Sequence, residues 1–96
     1  MTNEEILKIL REEKDFLKAN FGLLSIGLFG SCAKGINKND SDIDLLIELS
    51  QPRFDYLAAI QIHLEKKLGK RVDLIRKRKS LSGHFMKLIE KDIQYV

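Results

Sequence analysis

Residues 23–49 read LLSIGLFGSCAKGINKNDSDIDLLIEL, two apolar runs separated by a polar stretch that contains glycine. The first run, Leu23 to Phe29, has the length of a buried strand. The second run, residues 42–49, alternates between two faces. One face carries Ile43, Leu45, Ile47 and Leu49, and the other carries Asp42, Asp44, Leu46 and Glu48. The stretch therefore predicts two strands, the second with a core face and an acidic face.

Gly30 and Ser31 follow the first run, where a strand would end and a helix would begin. Such a junction offers unpaired backbone N–H groups and the positive end of a helix dipole, which suit phosphate oxygens. We predict one or two helical turns over residues 31–35 and a turn over residues 37–40. The junction is thus a candidate phosphate cradle.

Asp42 and Asp44 open the second run, and ten residues separate Ser31 from Asp42. Residues i and i+2 of a strand point the same way, so both carboxylates leave one face, about 7 Å apart along the chain. Carboxylate oxygens are hard ligands that suit Mg²⁺. Together with the cradle they indicate a site for a magnesium–nucleotide complex.

The composition is typical of a globular protein: 96 residues, 44% of them hydrophobic and 32% charged. We expect a single domain over residues 1–96. No apolar run is long enough to span a bilayer, and the N-terminus does not resemble a secretory signal. The single cysteine, Cys32, excludes an internal disulfide and favours a cytoplasmic location. A net charge of +3 is too small to indicate nucleic-acid binding by itself.

Helical periodicity flanks the two strands. Residues 3–20 predict a first helix, with a capping box formed by Thr2 and Glu5 and an end at Gly22. Pro52 is well placed to open another helix, which ends at Gly69. Its apolar stripe comprises Phe54, Leu57, Ile60, Leu64 and Leu68.

The C-terminal third predicts a strand over residues 71–75, a helix capped by Ser80 or Ser82, and a short final strand over residues 93–96. The apolar residues of the last helix could serve the core or an interface, and most of them are expected in the core: Phe85, Met86, Leu88 and Ile89. The order of elements predicts an α/β (α+β) fold in which helices pack against a small mixed sheet.

Asp73 lies in the predicted third strand, on the same face as Arg71 and Ile75. A lone aspartate near the start of a strand is usually exposed or in a salt bridge. If this strand lies next to the second, however, Asp73 joins Asp42 and Asp44 as a third carboxylate. Three clustered carboxylates repel one another unless cations lie between them, so such a cluster implies bound metal.

These residues resemble a known family. The Gly30-Ser31 pair, ten residues, Asp42-x-Asp44 and a later strand aspartate resemble the signature of the nucleotidyltransferase superfamily related to DNA polymerase beta. The fuller string GSCAKGINKNDSDIDLLIEL, with VDLI further on, resembles its minimal nucleotidyltransferase (MNT) branch. An isolated D-x-D is a weak signal, whereas the Gly-Ser pair at this spacing between two strands is specific.

The resemblance implies a role for each matching residue. Gly30 and Ser31 would hold the triphosphate of the nucleotide, and Asp42 and Asp44 would bind two Mg²⁺ ions. Asp73 would bind the second ion and help to deprotonate the acceptor hydroxyl. Lys34 stands where family members commonly carry arginine; lysine keeps the charge but loses the bidentate fork, and we expect it to contact phosphate.

The resemblance also implies a partner. MNT proteins resemble the antitoxin half of two-gene modules whose toxin is a helical HEPN-domain ribonuclease. An antitoxin of this kind would transfer AMP from ATP to a tyrosine hydroxyl of the toxin. A binding-only antitoxin with an idle site is one alternative. Transfer to transfer RNA or to a small molecule is another, which the basic run of residues 76–79 keeps open.

Other polar residues are better explained without chemistry. His63 and His84 lack the spacing of metal ligands and are expected to be surface or packing residues. Cys32 has no histidine nearby in the sequence and is expected to be a small filler of the loop rather than a nucleophile.

Overall fold

The computed structural model describes residues 2–30, 42–77 and 83–96, which contain three helices and four strands. The helices are α1 (Asn3–Phe21), α2 (Phe54–Leu68) and α3 (Gly83–Glu90). The strands are β1 (Leu23–Phe29), β2 (Ile43–Leu49), β3 (Val72–Arg76) and β4 (Gln94–Tyr95). The helical turns predicted over 31–35, the turn at 37–40 and the serine cap at 80 or 82 lie outside the described residues. None of the described helices is both long and apolar enough to cross a membrane.

Local capping signals set the limits of α1, as predicted. The Thr2 hydroxyl accepts the N–H of Glu5 at 3.2 Å, and the Glu5 carboxylate accepts the N–H of Thr2 at 3.3 Å. This reciprocal pair satisfies two N–H groups that the helix leaves without partners. At the other end, Gly22 adopts a left-handed conformation with φ 67° and donates its N–H to Lys18 O at 3.2 Å.

Helix α2 begins two residues later than the proline suggested. Arg53 is its N-cap and Phe54 its first helical residue, while Gly69 ends it as predicted. The expectation that Phe54 belongs to the buried stripe is wrong, because its side chain is 83% exposed. Phe54 lies one turn ahead of Leu57, the first residue of α2 that packs against the core.

The four strands form one mixed sheet in the order β3-β2-β1-β4. β1 pairs with β2 and with β4 in antiparallel fashion, and β2 pairs with β3 in parallel through the α2 crossover. The expected α/β fold with a mixed sheet is confirmed, and so is the placement of the third strand beside the second. A β-bulge at Leu24 shifts the β1–β2 register, and this extra residue is 51% exposed.

The two faces of the sheet differ in what covers them. Helices α1 and α2 cover one face and enclose a single apolar core with Ile26, Leu28, Ile43, Leu45, Ile47 and Val72 of the strands. The other face carries Asp44 and Asp73 and is partly covered by α3, whose Phe85 ring meets Phe29 edge to face at 6.2 Å. The expectation that α3 serves mainly the core is wrong, since none of its residues is buried and Leu88 is 62% exposed.

Gly27 allows the C-terminal segment to pack over the second face. A Cβ atom at Gly27 would lie 2.8 Å from Ile93 Cδ1 and 3.0 Å from Tyr95 Cδ1. A larger side chain would therefore push β4 away from β1. The glycine in this apolar strand is required by close packing rather than by its backbone torsion angle.

Gly27→Val should destabilise the protein by about 1–3 kcal/mol because the added methyl groups overpack this contact. We expect faster amide hydrogen exchange at residues 93–96, measured together with the free energy of unfolding in urea. Ser25→Val is the matched control, since Ser25 is half-buried on the same strand and the same face. Equal exchange in the two variants would contradict this account of Gly27.

Candidate active site

The register of β2 against β3 brings the predicted carboxylates together. The parallel pairing sets Asp44 directly beside Asp73, so that both side chains leave the same face of the sheet. Asp42 precedes the first residue of β2 and lies two residues before Asp44. The chain therefore assembles the three aspartates at the starts of two neighbouring strands. Their metal-binding and catalytic roles stay predictions.

The other two carboxylates affect the pKa of Asp44. Its pKa is raised, first by its partial burial and then by the negative charges of Asp73 and Asp42. Both effects disfavour the ionised form of Asp44. A positive charge beside Asp44 would relieve them, which is the property expected of a cation-binding carboxylate.

The donor set of this site suits Mg²⁺. Carboxylate oxygens are the ligands that Mg²⁺ prefers, and this ion usually takes one or two of them together with water and substrate phosphates. Within residues 2–30, 42–77 and 83–96, no group of three His, Cys, Asp or Glu side chains is placed so that it could hold a metal ion by itself. Asp44 and Asp73 are paired on one sheet face, and a metal held there would need water or nucleotide oxygens to complete its coordination. Asp42, Asp44 and Asp73 are the residues that would hold it.

Gly30 lies against the Asp44 carboxylate. Its φ of 77° is in the left-handed region, which residues with a Cβ atom adopt at a cost. A Cβ atom built at Gly30 would collide with Asp44 Oδ2 and would lie 3.1 Å from Asp44 Cγ. Glycine is therefore needed here both for the turn and for the space that the carboxylate occupies. The other predicted phosphate contacts, Ser31 and Lys34, lie outside the described residues, as does Cys32.

Two polar side chains of α2 hold the start of β3. Gln61 Nε2 donates to Val72 O at 3.0 Å, and the N–H of Val72 donates to Glu65 Oε2 at 2.9 Å. Both peptide groups of Val72 are thus anchored on the outer side of β3, immediately before Asp73. Gln61 and Glu65 also line, with Asp42, Arg71, Val72 and Asp73, a cleft of about 540 Å³.

The sequence alone did not indicate a role for Gln61 and Glu65 at the site. Their i, i+4 spacing is a signal in principle, but solvated helix faces carry many such polar pairs. Only the distance of each side chain from Val72 distinguishes this pair from the others. His63, by contrast, is a packing residue as predicted: its Nε2 lies 2.6 Å from Glu13 Oε1, and its ring stacks on Phe16. His84 lies exposed on α3.

The mixed sheet has a left-handed glycine at the end of β1 and one aspartate on each of β2 and β3, the arrangement that the sequence led us to expect of a nucleotidyltransferase. Residues 5–96 match the nucleotidyltransferase-domain family. The chain belongs to this family and is therefore an enzyme of the nucleotidyltransferase type, which confirms the resemblance seen in the sequence.

Two relatives match nearly the whole chain. A Methanocaldococcus jannaschii protein, provisionally named a protein adenylyltransferase, is 43% identical over 99 residues, covering 99% of this chain and 98% of its own. The protein adenylyltransferase MntA of Thermococcus cleftensis is 38% identical over 97 residues, covering 100% of this chain and 97% of its own.

Solved structures share the fold. A structure described provisionally as a minimal nucleotidyltransferase superposes with a TM-score of 0.78 at 30% identity, over 98% of this chain and 95% of that one. A toxin–antitoxin crystal structure with AMP-PNP gives a TM-score of 0.67 at 23% identity, over 99% and 72% of the two chains. A tri-AMPylated Shewanella oneidensis HEPN toxin in complex with MNT antitoxin gives 0.58 at 21% identity, over 97% and 66%. The last two likenesses show a common fold.

Gly30→Ala should reduce both stability and activity. The left-handed backbone costs an alanine about 1–2 kcal/mol, and the new methyl group would also displace the Asp44 carboxylate. Gly69→Ala is a sharp control, because Gly69 has a similar φ of 68° but a Cβ atom there would meet nothing within 4 Å. We expect similar losses in the free energy of unfolding from backbone strain, and loss of nucleotidyl transfer only in Gly30→Ala. Full transfer activity in Gly30→Ala would contradict this function of the glycine.

Asp44→Asn should stabilise the protein at neutral pH while abolishing transfer. A carboxyl group whose pKa is raised on folding loses its proton less readily in the folded state. Ionisation of Asp44 therefore costs stability as the pH rises above its ordinary pKa of 3.8. The amide lacks this cost, so the stability of Asp44→Asn relative to wild type should grow as the pH rises above 3.8.

Urea unfolding at several pH values without divalent cations measures this difference. Asp15→Asn, an exposed aspartate of α1, is the control and should show no such trend. A variant whose relative stability falls as the pH rises would show that Asp44 is stabilised rather than destabilised by its neighbours.

Proposed function

We propose that this chain is a Mg²⁺-dependent protein adenylyltransferase. It transfers AMP from ATP to a hydroxyl group of a protein partner, a HEPN-type toxin, and acts as the antitoxin in the cytoplasm. The single observation that carries the chemistry is the pairing of Asp44 with Asp73 beside Gly30. The names of the two full-length relatives support AMP and a protein acceptor, and the HEPN complex of the MNT antitoxin supports the kind of partner.

Asp42 and Asp44 would hold the metal, and Asp44 lies next to Gly30, at the start of the predicted phosphate cradle. Bound Mg²⁺ would supply charge neutralisation at the phosphates and help the departure of pyrophosphate. Gly30 leaves room for the Asp44 carboxylate, and Ser31 and Lys34, which follow it in the chain, would contact the phosphates. These residues would position the α-phosphate in line with the acceptor.

Asp73 would act on the acceptor side. It is exposed, whereas Asp44 is half-buried, so an incoming hydroxyl can reach it from solvent. In the transfer step the acceptor oxygen forms a bond to the α-phosphorus, the bond to pyrophosphate breaks, and the hydroxyl proton passes to Asp73. Gln61 and Glu65 would keep Asp73 in place through their hydrogen bonds to Val72.

The test is AMP transfer to the partner. The purified chain, Mg²⁺, ATP labelled at the α-phosphate and a HEPN-type protein from the same genome are incubated, and label on the partner is measured by autoradiography and intact mass. Asp42→Asn combined with Asp44→Asn should abolish the label. Asp73→Asn should lower kcat by roughly 10²- to 10⁴-fold, the range typical of a general base, with binding of ATP retained.

Asp15→Asn again serves as the charge-matched control and should transfer at the wild-type rate. Label that survives the double substitution would refute the metal-site assignment. Inhibition of the toxin without any label would favour the binding-only antitoxin, and label on added transfer RNA instead of protein would favour the other acceptor class.

A further inference from the structure

A second concave surface lies away from the carboxylates, between the outer edge of β3 and the first turns of α2. This groove, of about 390 Å³, is lined by Pro52, Arg53, Phe54, Leu57, Leu74, Ile75 and Arg76. Its lining is apolar or basic and contains no acidic residue. Phe54, 83% exposed, is the most exposed large hydrophobic residue in the part of the chain that the structure describes.

The edge of β3 that borders this groove has backbone groups available for a further strand. Ile43 donates its N–H to Arg71 O at 2.9 Å, and Lys77 donates its N–H to Ile47 O at 2.7 Å. Because alternate residues of a parallel ladder bond to opposite sides, Leu74 and Arg76 direct their N–H and C=O groups outward. Gln61 and Glu65 already occupy the outer groups of Val72, so an added strand could begin only beyond that residue.

The charge of the groove indicates which kind of segment could bind in it. The Arg53 guanidinium is held on its own helix by Asp55, at 2.7 Å and 3.0 Å, and lies over the Tyr56 ring. Arg76 and Lys77 take part in no ion pair within the described residues. An acidic segment in the groove would therefore meet the positive charge of Arg76, with an apolar surface at Phe54 and Leu57 beside it, and Lys77 follows at the end of the strand.

We propose that this groove docks an extended segment of the acceptor protein, which adds as a strand to the edge of β3. Its backbone pairs with Leu74 and Arg76, an apolar side chain covers Phe54 and Leu57, and its carboxylates face Arg76 and Lys77. The identity of the partner rests on the proposed function. The groove is separate from the cleft of the carboxylates but lies on the same strand, because Arg76 is three residues, about 10 Å, from Asp73.

Docking at this position would serve catalysis by holding the partner on the strand that carries Asp73. A bound segment restricts where the acceptor hydroxyl can lie, which raises its effective concentration at the carboxylates. The alternative is that the basic residues only protect an exposed strand edge against aggregation. An 83% exposed phenylalanine beside the edge argues against protection alone, since it adds apolar surface where protection would remove it.

Three variants separate backbone pairing, charge and apolar contact. Arg76→Pro removes the outward N–H and the charge, Arg76→Gln removes the charge alone, and Phe54→Ser removes the aromatic ring. Proline is tolerated at such a position because its missing N–H faces away from the sheet. The control is Ile62→Ser, at an exposed apolar residue of α2 that does not line the groove, and circular dichroism and thermal unfolding check that every variant is folded.

The measurements are the KM for the HEPN-type partner in the transfer assay and its Kd by calorimetry, the latter on a chain that also carries Asp42→Asn and Asp44→Asn. We expect Arg76→Pro and Phe54→Ser to weaken both by at least about tenfold, the size of a hot-spot loss. Arg76→Gln should have a smaller effect, and all three should bind ATP with Mg²⁺ like wild type. Amide hydrogen exchange at Leu74 and Arg76 should slow when the partner binds.

The outcomes distinguish this proposal from the proposed function. The docking site would be overturned if the three variants kept wild-type transfer, KM and Kd and the partner did not protect Leu74 and Arg76 from exchange. The proposed transferase function would not be affected by that result. Equal weakening by Arg76→Gln and Arg76→Pro would overturn strand addition. Groove-dependent binding of the partner without any AMP transfer would support the docking site and refute the proposed function.

Discussion

The candidate site requires negatively charged aspartate side chains to lie close together. The parallel pairing of β2 with β3 sets the carboxylate of Asp44 beside that of Asp73, with Asp42 two residues away. The partial burial of Asp44 and the repulsion from Asp73 and Asp42 raise its pKa and oppose folding at neutral pH. The rest of the molecule must therefore supply the stability that keeps these strands in register, and a bound cation would add to it.

That stability comes mainly from the opposite face of the sheet. Helices α1 and α2 bury the core residues of β1, β2 and β3 there, so the register is set by apolar contacts that do not involve the acids. Hydrogen bonds add local precision, because Gln61 and Glu65 bind both peptide groups of Val72 just before Asp73. Gly30 contributes by its lack of a side chain, which leaves room for the Asp44 carboxylate.

Different surfaces of the protein therefore have different roles. One face of the sheet stabilises the fold, the other carries the candidate site with Asp44 and Asp73, and the outer edge of β3 borders an apolar and basic groove. An enzyme that acts on another macromolecule needs such a surface near its carboxylates. The groove on the same strand as Asp73 is the surface that we propose for this role.

Much of this could be predicted from the sequence because the signals are local. The Thr2–Glu5 capping box, the Gly22 and Gly69 helix ends, the alternation of β2 and the spacing from Gly30 to Asp44 each depend on a few neighbouring residues. They determined the helices, the strands, the family and the candidate carboxylates.

Only the tertiary structure decided what depends on residues far apart in the chain. Four features are of this kind: the pairing of Asp44 with Asp73, the anchoring of Val72 from α2, the exposure of Phe54 and Leu88, and the close packing over Gly27. Which strands pair, and in which register, is set by the burial of a whole sheet face, and no short pattern in the sequence encodes it.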